Sequence, residues 1–545
     1  MRRVAITTAA IAVASFGWST GRLLNGASGA QTSGNRELRF SIPGDPKSFD
    51  PLRATLESNG ELIRYLTGGV LIRVDRATDA AIPELAESWR MVEGGKAILF
   101  RLRKDLHFSD GSPLTADDVA RTLTAALDPK EGSPAGDTFR SAGGAPAIEV
   151  HSPQELLIRY RAVKPGLDRL FDQLAIMPKN RSVRLPASAG PFFVAEYNPG
   201  SVIVLHRNPW YWKRDSSGAH LPYFDSIRID IQSNRDIQLA RFERGESDLL
   251  DSRSLNPETF DRLAKTRPGT AHDAGASLDS EFLWFNEAPS ASVPAWKRKW
   301  FSSTLFRHAI SSSIHREDLV RIVYKGHAHA AAGPISTANR FWFNPKLKPL
   351  AYNPAALNAL LATGFTLKGG VLRDASGHAV EFSLITNSGN REREQMAALI
   401  QSDLNRIGVR VNIVTLDFGS LVERIAKTGA YEACLLGFAN VDEDPLEEMN
   451  VWLSSGPHHA WWPQEKSPAT PWEARIDQLE LAQASEGSRA QRKKLMDEMQ
   501  EIAVAQEPII YLVNPDYLYA LSPRIHGARP GIAPPQLLWN IEWLR

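Results

Sequence analysis

At 545 residues the chain is too long for one hydrophobic core, so two or three domains are expected. With 43% hydrophobic and 23% charged residues it has the composition of a folded globular protein, and a formal net charge of +1 gives nucleic acid or an anionic membrane no general hold on it. A single cysteine, Cys434, excludes an intrachain disulfide, and its apolar setting from Ala433 to Phe438 predicts a buried thiol, not a nucleophile.

Arg2 and Arg3, the uncharged run from Val4 to Phe16 and the small residues from Ala27 to Ala30 predict a secretory signal peptide over residues 1–30. Val4 to Gly21 approaches the length of a membrane span, but Ser, Thr and Gly dilute it, which favours cleavage. Without a cysteine there, bacterial lipoprotein acylation is excluded, and a soluble periplasmic protein is the expectation.

Leu38 to Ile42 predicts the first strand and Ser58 to Thr67 a helix. Trp89 and Met91 lead into a turn at Glu93-Gly94-Gly95, and Leu99 to Arg103 returns as a strand. After the turn at Asp110-Gly111, Thr115 N-caps a helix with Asp117 and Asp118 in its first turn, where they complement the helix dipole. Leu156 to Tyr160 predicts a strand and Pro165 to Leu174 a helix. Asn198-Pro199-Gly200 marks a hairpin turn, followed by strands at Val202 to Leu205 and Phe224 to Ile231 and a helix at Asp236 to Arg244.

The second half alternates in the same way. Strands are predicted at Glu281 to Asn286, Val380 to Thr386, Val409 to Thr415, Ala433 to Phe438 and Pro508 to Val513. Helices fall at Asn353 to Leu361, Arg391 to Ile407 with a C-cap at Gly408, Leu421 to Lys427 and Ser488 to Gln506. His458, His459, Trp461 and Trp462 read as an exposed loop packed on the surface. The alternation indicates an α/β protein. No nucleophile elbow, P-loop or dinucleotide fingerprint occurs, which argues against an enzyme. His327 and His329 lack any metal-ligand spacing, and no metal or cofactor is expected.

Two stretches carry more than secondary structure. AESWRMVEGGKAILFRLRKDLHFSDG, from Ala86 to Gly111, runs directly into SPLTADDVARTL; SAGPFFVAEYNPGSVIVLHRNPWYWKR begins at Ser188. Together with Phe306 to Val320 they resemble the extracytoplasmic solute-binding proteins of family 5, the oligopeptide- and dipeptide-binding group that serves ABC importers. That resemblance implies a two-lobed periplasmic binding protein of the large three-domain build (type II-like, cluster C). Domain I would span 37–75, 185–288 and 520–545, domain II 76–184 and domain III 289–519, with lobe crossings near Asn286 and Tyr517 acting as hinges. It further implies a monomer that takes a peptide or other small solute and delivers it to an inner-membrane ABC permease and ATPase.

In the same family a "GW..D...P" loop sets an Asp against the ligand ammonium. The matching stretch here runs from Gly437 to Pro445, with Phe438 in place of Trp, and the Asp position falls on Val441. Asp442, one residue further on, either takes that role or the cargo is not an ordinary peptide but another solute such as a sugar, an opine or a metal complex. A sensor or chaperone role for the same closing cleft is a further alternative. The ligand-binding residues implied are Trp284, Asn286, Phe418, Gly437, Phe438, Asn440 and Asp442.

Overall fold

The structure, a computed structural model, describes residues 36–54, 58–140, 144–163, 166–180, 185–252, 254–438, 444–463 and 465–545. The predicted signal peptide and the loop residues Asn440, Val441 and Asp442 lie outside the described residues. No helix among the described residues is long and apolar enough to cross a membrane.

Three main sheets organise the chain. In the first, Glu37–Ile42 pairs in parallel with Ser226–Ile231, and Val202–Arg207 and Phe192–Asn198 follow antiparallel. The second is an antiparallel sheet in the order Ala86–Val92, Ala97–Leu102, Glu155–Arg159 and Ala147–Ser152. Its first turn needs left-handed backbone, and Gly94 and Gly95 adopt φ of 67° and 90° there. Along Ala97–Leu102, Ile98, Phe100 and Leu102 face a core that also takes Val119 and Leu123 of the helix Ala116–Leu127. That helix starts at Thr115 as expected, with the Asp118 carboxylate accepting from the Thr115 N–H at 2.8 Å.

These two sheets form the first lobe, and the two family-like stretches are packed on each other inside it. The Arg103 guanidinium sits 3.7 Å from the centroid of the Trp212 ring, and the Ser109 N–H donates to the Ser188 carbonyl at 2.8 Å. Within Pro165 to Leu174, expected as a helix, the described residues from Gly166 on hold the single turn Arg169–Asp172. Gly166 at φ 61° sets it off, and Asp172 is held by Arg73 and Arg76 at 3.1 and 3.0 Å.

The second lobe is built on the eight-stranded sheet. Ser280–Phe285 runs antiparallel between Ile509–Leu521 and Ala433–Phe438, which continues in parallel to Glu381–Asn387 and Arg410–Leu416. Its two faces carry separate cores: Leu283 and Phe285 enter one, Phe282 and Trp284 the other. The long helices Arg391–Arg406 and Arg489–Gln506 match the sequence reading, including Gly408 at φ 82° after the first.

Ile509–Leu521 serves both lobes. Its first half pairs with Ser280–Phe285 and Ala328–Ala330, its second half with Leu249–Leu250 and Ala271–Ala276. The lobe crossing expected near Asn286 falls earlier, at residues 277–279, because Ser280–Phe285 is already hydrogen-bonded into the second lobe's sheet. The Ser277 N–H donates to the Pro515 carbonyl at 2.9 Å, and Asn514 Nδ2 donates to the Asp279 carbonyl at 3.0 Å, so the two crossings are stitched together.

Candidate functional site

Strand alternation places Trp284 and Asn286 on one side of their strand, but that side is covered. Trp284 is 1% exposed, and its Nε1 donates to the Tyr431 hydroxyl at 3.1 Å, which in turn donates to the Ala460 carbonyl at 3.0 Å. Asn286 is 0% exposed and uses Nδ2 on the carbonyls of Gly429 and Tyr431 at 3.1 and 3.2 Å. Both side chains are therefore core members, contrary to the expected place in the ligand site. Cys434 is buried as anticipated, and burial pushes its thiol well up from the ordinary value.

Gly437 lies one pleat further toward the end of its strand. A Cβ there would stand 2.7 Å from Glu281 Oε1 and 2.8 Å from Arg393 Nη2. Those two residues form a bidentate pair at 2.7 and 2.9 Å, and Arg393 Nη1 also donates to Asn387 Oδ1 at 2.9 Å. Burial weakens the Arg393 charge, yet Glu281 overcomes this and holds its pKa above the usual value. Phe438 is half-buried, edge-on to Phe282 with ring centroids 4.9 Å apart. Phe418 opens the helix Phe418–Glu423 and is 58% exposed. Asp417 caps that helix through the Ser420 N–H at 3.0 Å, and hydrogen bonds to Ser420 hold its carboxyl below the usual range.

Beyond Phe438 the chain passes through residues 439–443, with Asn440 and Asp442, and re-enters the described structure at Asp444. Arg492 grips Asp444 with both Nη atoms at 2.9 and 2.6 Å, and Gln483 Oε1 accepts from the same guanidinium at 3.2 and 2.9 Å. Asp444 also faces the first lobe: its Oδ2 is 3.9 Å from where a Cβ on Gly166 would stand. Alongside, Arg489 Nη2 reaches Asp79 Oδ2 across the lobes at 2.5 Å, and Arg169 holds the other oxygen at 2.6 Å. Asp444 thus stands at the meeting line of the lobes.

The reading from sequence missed Asp79, Arg169, Arg489 and Arg492. Nothing local marks them, since Asp79 and Arg489 are 410 residues apart. It also missed a polar cluster where the chain crosses between lobes. His327 Nδ1 lies 2.6 Å from Asp273 Oδ2 and Nε2 3.2 Å from Asp261 Oδ1, while His329 Nε2 is 3.2 Å from Asp516 Oδ1. Burial lowers the His327 pKa, but the bonds to Asp273 and Asp261 outweigh it and the net shift is upward. Asp516 is pushed up to about 6 by burial and by Asp273. His459 and Trp461, expected in an exposed loop, are buried, because the chain after Gly456 folds back under the helix Pro471–Ser485.

Residues 80–459 match the model of the bacterial extracellular solute-binding proteins, family 5 (middle). A probable ABC transporter-binding protein of Deinococcus radiodurans is 26% identical over 531 residues, covering 89% of this chain and 87% of the relative. The oligopeptide-binding protein AppA of Bacillus subtilis, solved with a nonapeptide, superposes with a TM-score of 0.71 at 23% identity, covering 93% of this chain and 98% of AppA. NikA of Brucella suis, solved with Fe(III)-EDTA, gives a TM-score of 0.78 at 20% identity, covering 93% of this chain and 99% of NikA.

Proposed function

The chain belongs to the bacterial extracellular solute-binding proteins of family 5, and from that premise we propose that it captures a peptide or peptide-like solute between its lobes and hands it to an ABC permease. The observation that carries this reading is Asp444 at the meeting line of the lobes, which Arg492 of the second lobe clamps at 2.6 Å opposite Gly166 of the first lobe. A ligand held at that line touches both lobes at once, so it binds the closed form better than the open one, which is the condition for driving closure. Residues 277–279 and 514–516 form the hinge. The protein works as a monomer exported by its signal segment, without a lipid tether.

Phe438 forms an aromatic wall, Asn440 and Asp442 supply polar anchors, and Phe418 offers a second aromatic at the rim. Gly437 keeps the strand flat enough for Glu281 and Arg393 to lie across it. Trp284 and Asn286 support this face from within the core. Asp442→Asn is expected to weaken an ammonium-bearing ligand about tenfold or more by isothermal titration, as removal of one charge-assisted hydrogen bond does; unchanged affinity would take Asp442 out of the site.

A second reading has one observation in its favour. The spacing from Pro445 puts Val441 where a carboxylate is expected, which suits a cargo without a free ammonium, and NikA, on the same fold, was solved with Fe(III)-EDTA. Mass spectrometry of ligand released by denaturing the purified protein separates the two. A heterogeneous set of peptides supports peptide capture, whereas one defined non-peptide molecule overturns it.

A further inference from the structure

Deep in the second lobe three side chains point at one another. His459, Glu465 and Glu473 are 1%, 7% and 3% exposed, and one ligand atom from each lies within 4.8 Å of the other two. His459 is held in place by its Nδ1, 3.0 Å from the Val451 carbonyl oxygen, and by its ring, whose centroid is 3.9 Å from that of Trp461. A carbonyl only accepts, so Nδ1 carries the proton and Nε2 turns a lone pair inward. Glu473 is fixed as well. Its Oε2 accepts from the Thr470 N–H at 2.8 Å and hydroxyl at 2.7 Å, closing the cap of the helix Pro471–Ser485, and its Oε1 accepts from Trp461 Nε1 at 3.0 Å.

Glu465 is different. Among the described residues neither of its oxygens has a hydrogen-bond partner, and neither does His459 Nε2. Nε2 and Glu465 Oε2 stand 3.2 Å apart, but off the line that a hydrogen bond requires. A lone pair and a carboxylate oxygen, buried face to face, are a repulsive arrangement unless positive charge lies between them. The cation beside Glu287 does not supply it. Arg307 spends its donors on Glu287 Oε1 at 3.0 Å and on the carbonyls of Phe301, Gln506 and Glu507.

We propose that His459, Glu465 and Glu473 bind one divalent first-row transition cation, Zn²⁺ by preference, as a structural metal of this lobe. Bonds of about 2.0–2.1 Å in a tetrahedral site set neighbouring ligand atoms about 3.3 Å apart, and the His459–Glu465 separation of 3.2 Å is such an edge. One imidazole nitrogen with two carboxylates favours Zn²⁺ over Ca²⁺ or Mg²⁺, which take oxygen ligands in larger number. The Val451 carbonyl on Nδ1 and the Trp461 and Thr470 donors on Glu473 are the outer contacts that hold such ligands in their orientation. The metal ties His459 and Glu465 to the first turn of the helix Pro471–Ser485.

The test uses the full mature protein, stripped with EDTA and then incubated with Zn²⁺ alone or Co²⁺ alone before gel filtration. About one equivalent of zinc per chain is expected by plasma mass spectrometry, with Tm raised by about 5 °C or more, and Co²⁺ should give the intense visible absorption of a four-coordinate site. Glu465→Gln, close in shape and free of the buried charge, should fold at least as well as the stripped protein and lose both the metal and the Tm response. His327→Ala should retain them. Failure of the wild type to hold zinc or cobalt after filtration would overturn the proposal. So would undiminished binding in Glu465→Gln, or loss of binding in His327→Ala.

Discussion

Gly437 has no room for a single methyl group, because the carboxylate and guanidinium that cross it are nearer than any real Cβ contact allows. Gly437→Ala must push the Glu281–Arg393 pair off the strand or bend the strand itself, which puts the cost at about 1–3 kcal/mol in urea unfolding. A variant as stable as wild type would mean the pair moves aside freely. The same strand shows where sequence reasoning reaches its limit. Alternation correctly sets Trp284 apart from Phe285, yet one face meets the core around Trp452 and Trp461 and the other the core around Phe301 and Phe306. When both faces of a strand are covered, periodicity separates the faces without telling core from cleft. His459 and Trp461 escaped for a related reason: a turn signal at Gly456-Pro457 predicts a loop, and nothing in it tells that a later helix closes over it.

Among the elements, the helices Pro471–Ser485 and Arg489–Gln506 matter most for the loop at Asp444, since Gln483 and Arg492 come one from each. Glu480 lies buried between them, with Oε2 accepting from Gln483 Nε2 at 3.1 Å. Burial pushes it up from 4.5 to about 8. The folded state therefore keeps a proton that the unfolded chain has already released, so the stability this group contributes is complete below about pH 4.5 and is lost as pH rises toward about 8. Glu480→Gln removes the ionisation. In urea unfolding it should be more stable than wild type by ~2 kcal/mol at about pH 8.5, with the gap closing toward about pH 5; a gap independent of pH would contradict this. Arg489–Gln506 was legible, as was Arg391–Arg406, because the caps at Ser488 and Asn390 and the stop at Gly408 are local, whereas Pro471–Ser485 was not read from the sequence. The strand Ile509–Leu521 was legible only as far as Val513. Pro515 interrupts the pattern there, and the strand persists beyond it because the Pro515 carbonyl accepts from Ser277 at the lobe crossing.

For the molecule as a whole, the two-lobed build follows from the stretches at Ala86 and Ser188, which pack on each other in the first lobe through Arg103 and Trp212. They determine how that lobe is assembled, and for that reason they carry the family's pattern while saying little about cargo. The contact between lobes was not legible, since it joins side chains from distant parts of the chain. Arg489 and Asp79 form a partly exposed pair at 2.5 Å on that line, and pairs of that kind contribute ~0.2–1 kcal/mol. Arg489→Ala is expected to favour the open arrangement and weaken ligand affinity by up to about fivefold, with a larger radius of gyration in solution scattering of the ligand-free protein. If radius and affinity both stay at wild-type values, the pair has no part in closure.

The strand Ile509–Leu521 also governs when folding can finish. It is about 40 Å long at 13 residues, and it hydrogen-bonds to strands of both lobes. Until it arrives, Ser280–Phe285 lacks one neighbour, and Leu249–Leu250 and Ala271–Ala276 lack the strand they pair with. A chain whose other strands have formed consequently cannot complete the larger sheet until this one strand docks. Docking of that strand therefore ties the completion of one lobe to that of the other, so that neither reaches its native pairing alone.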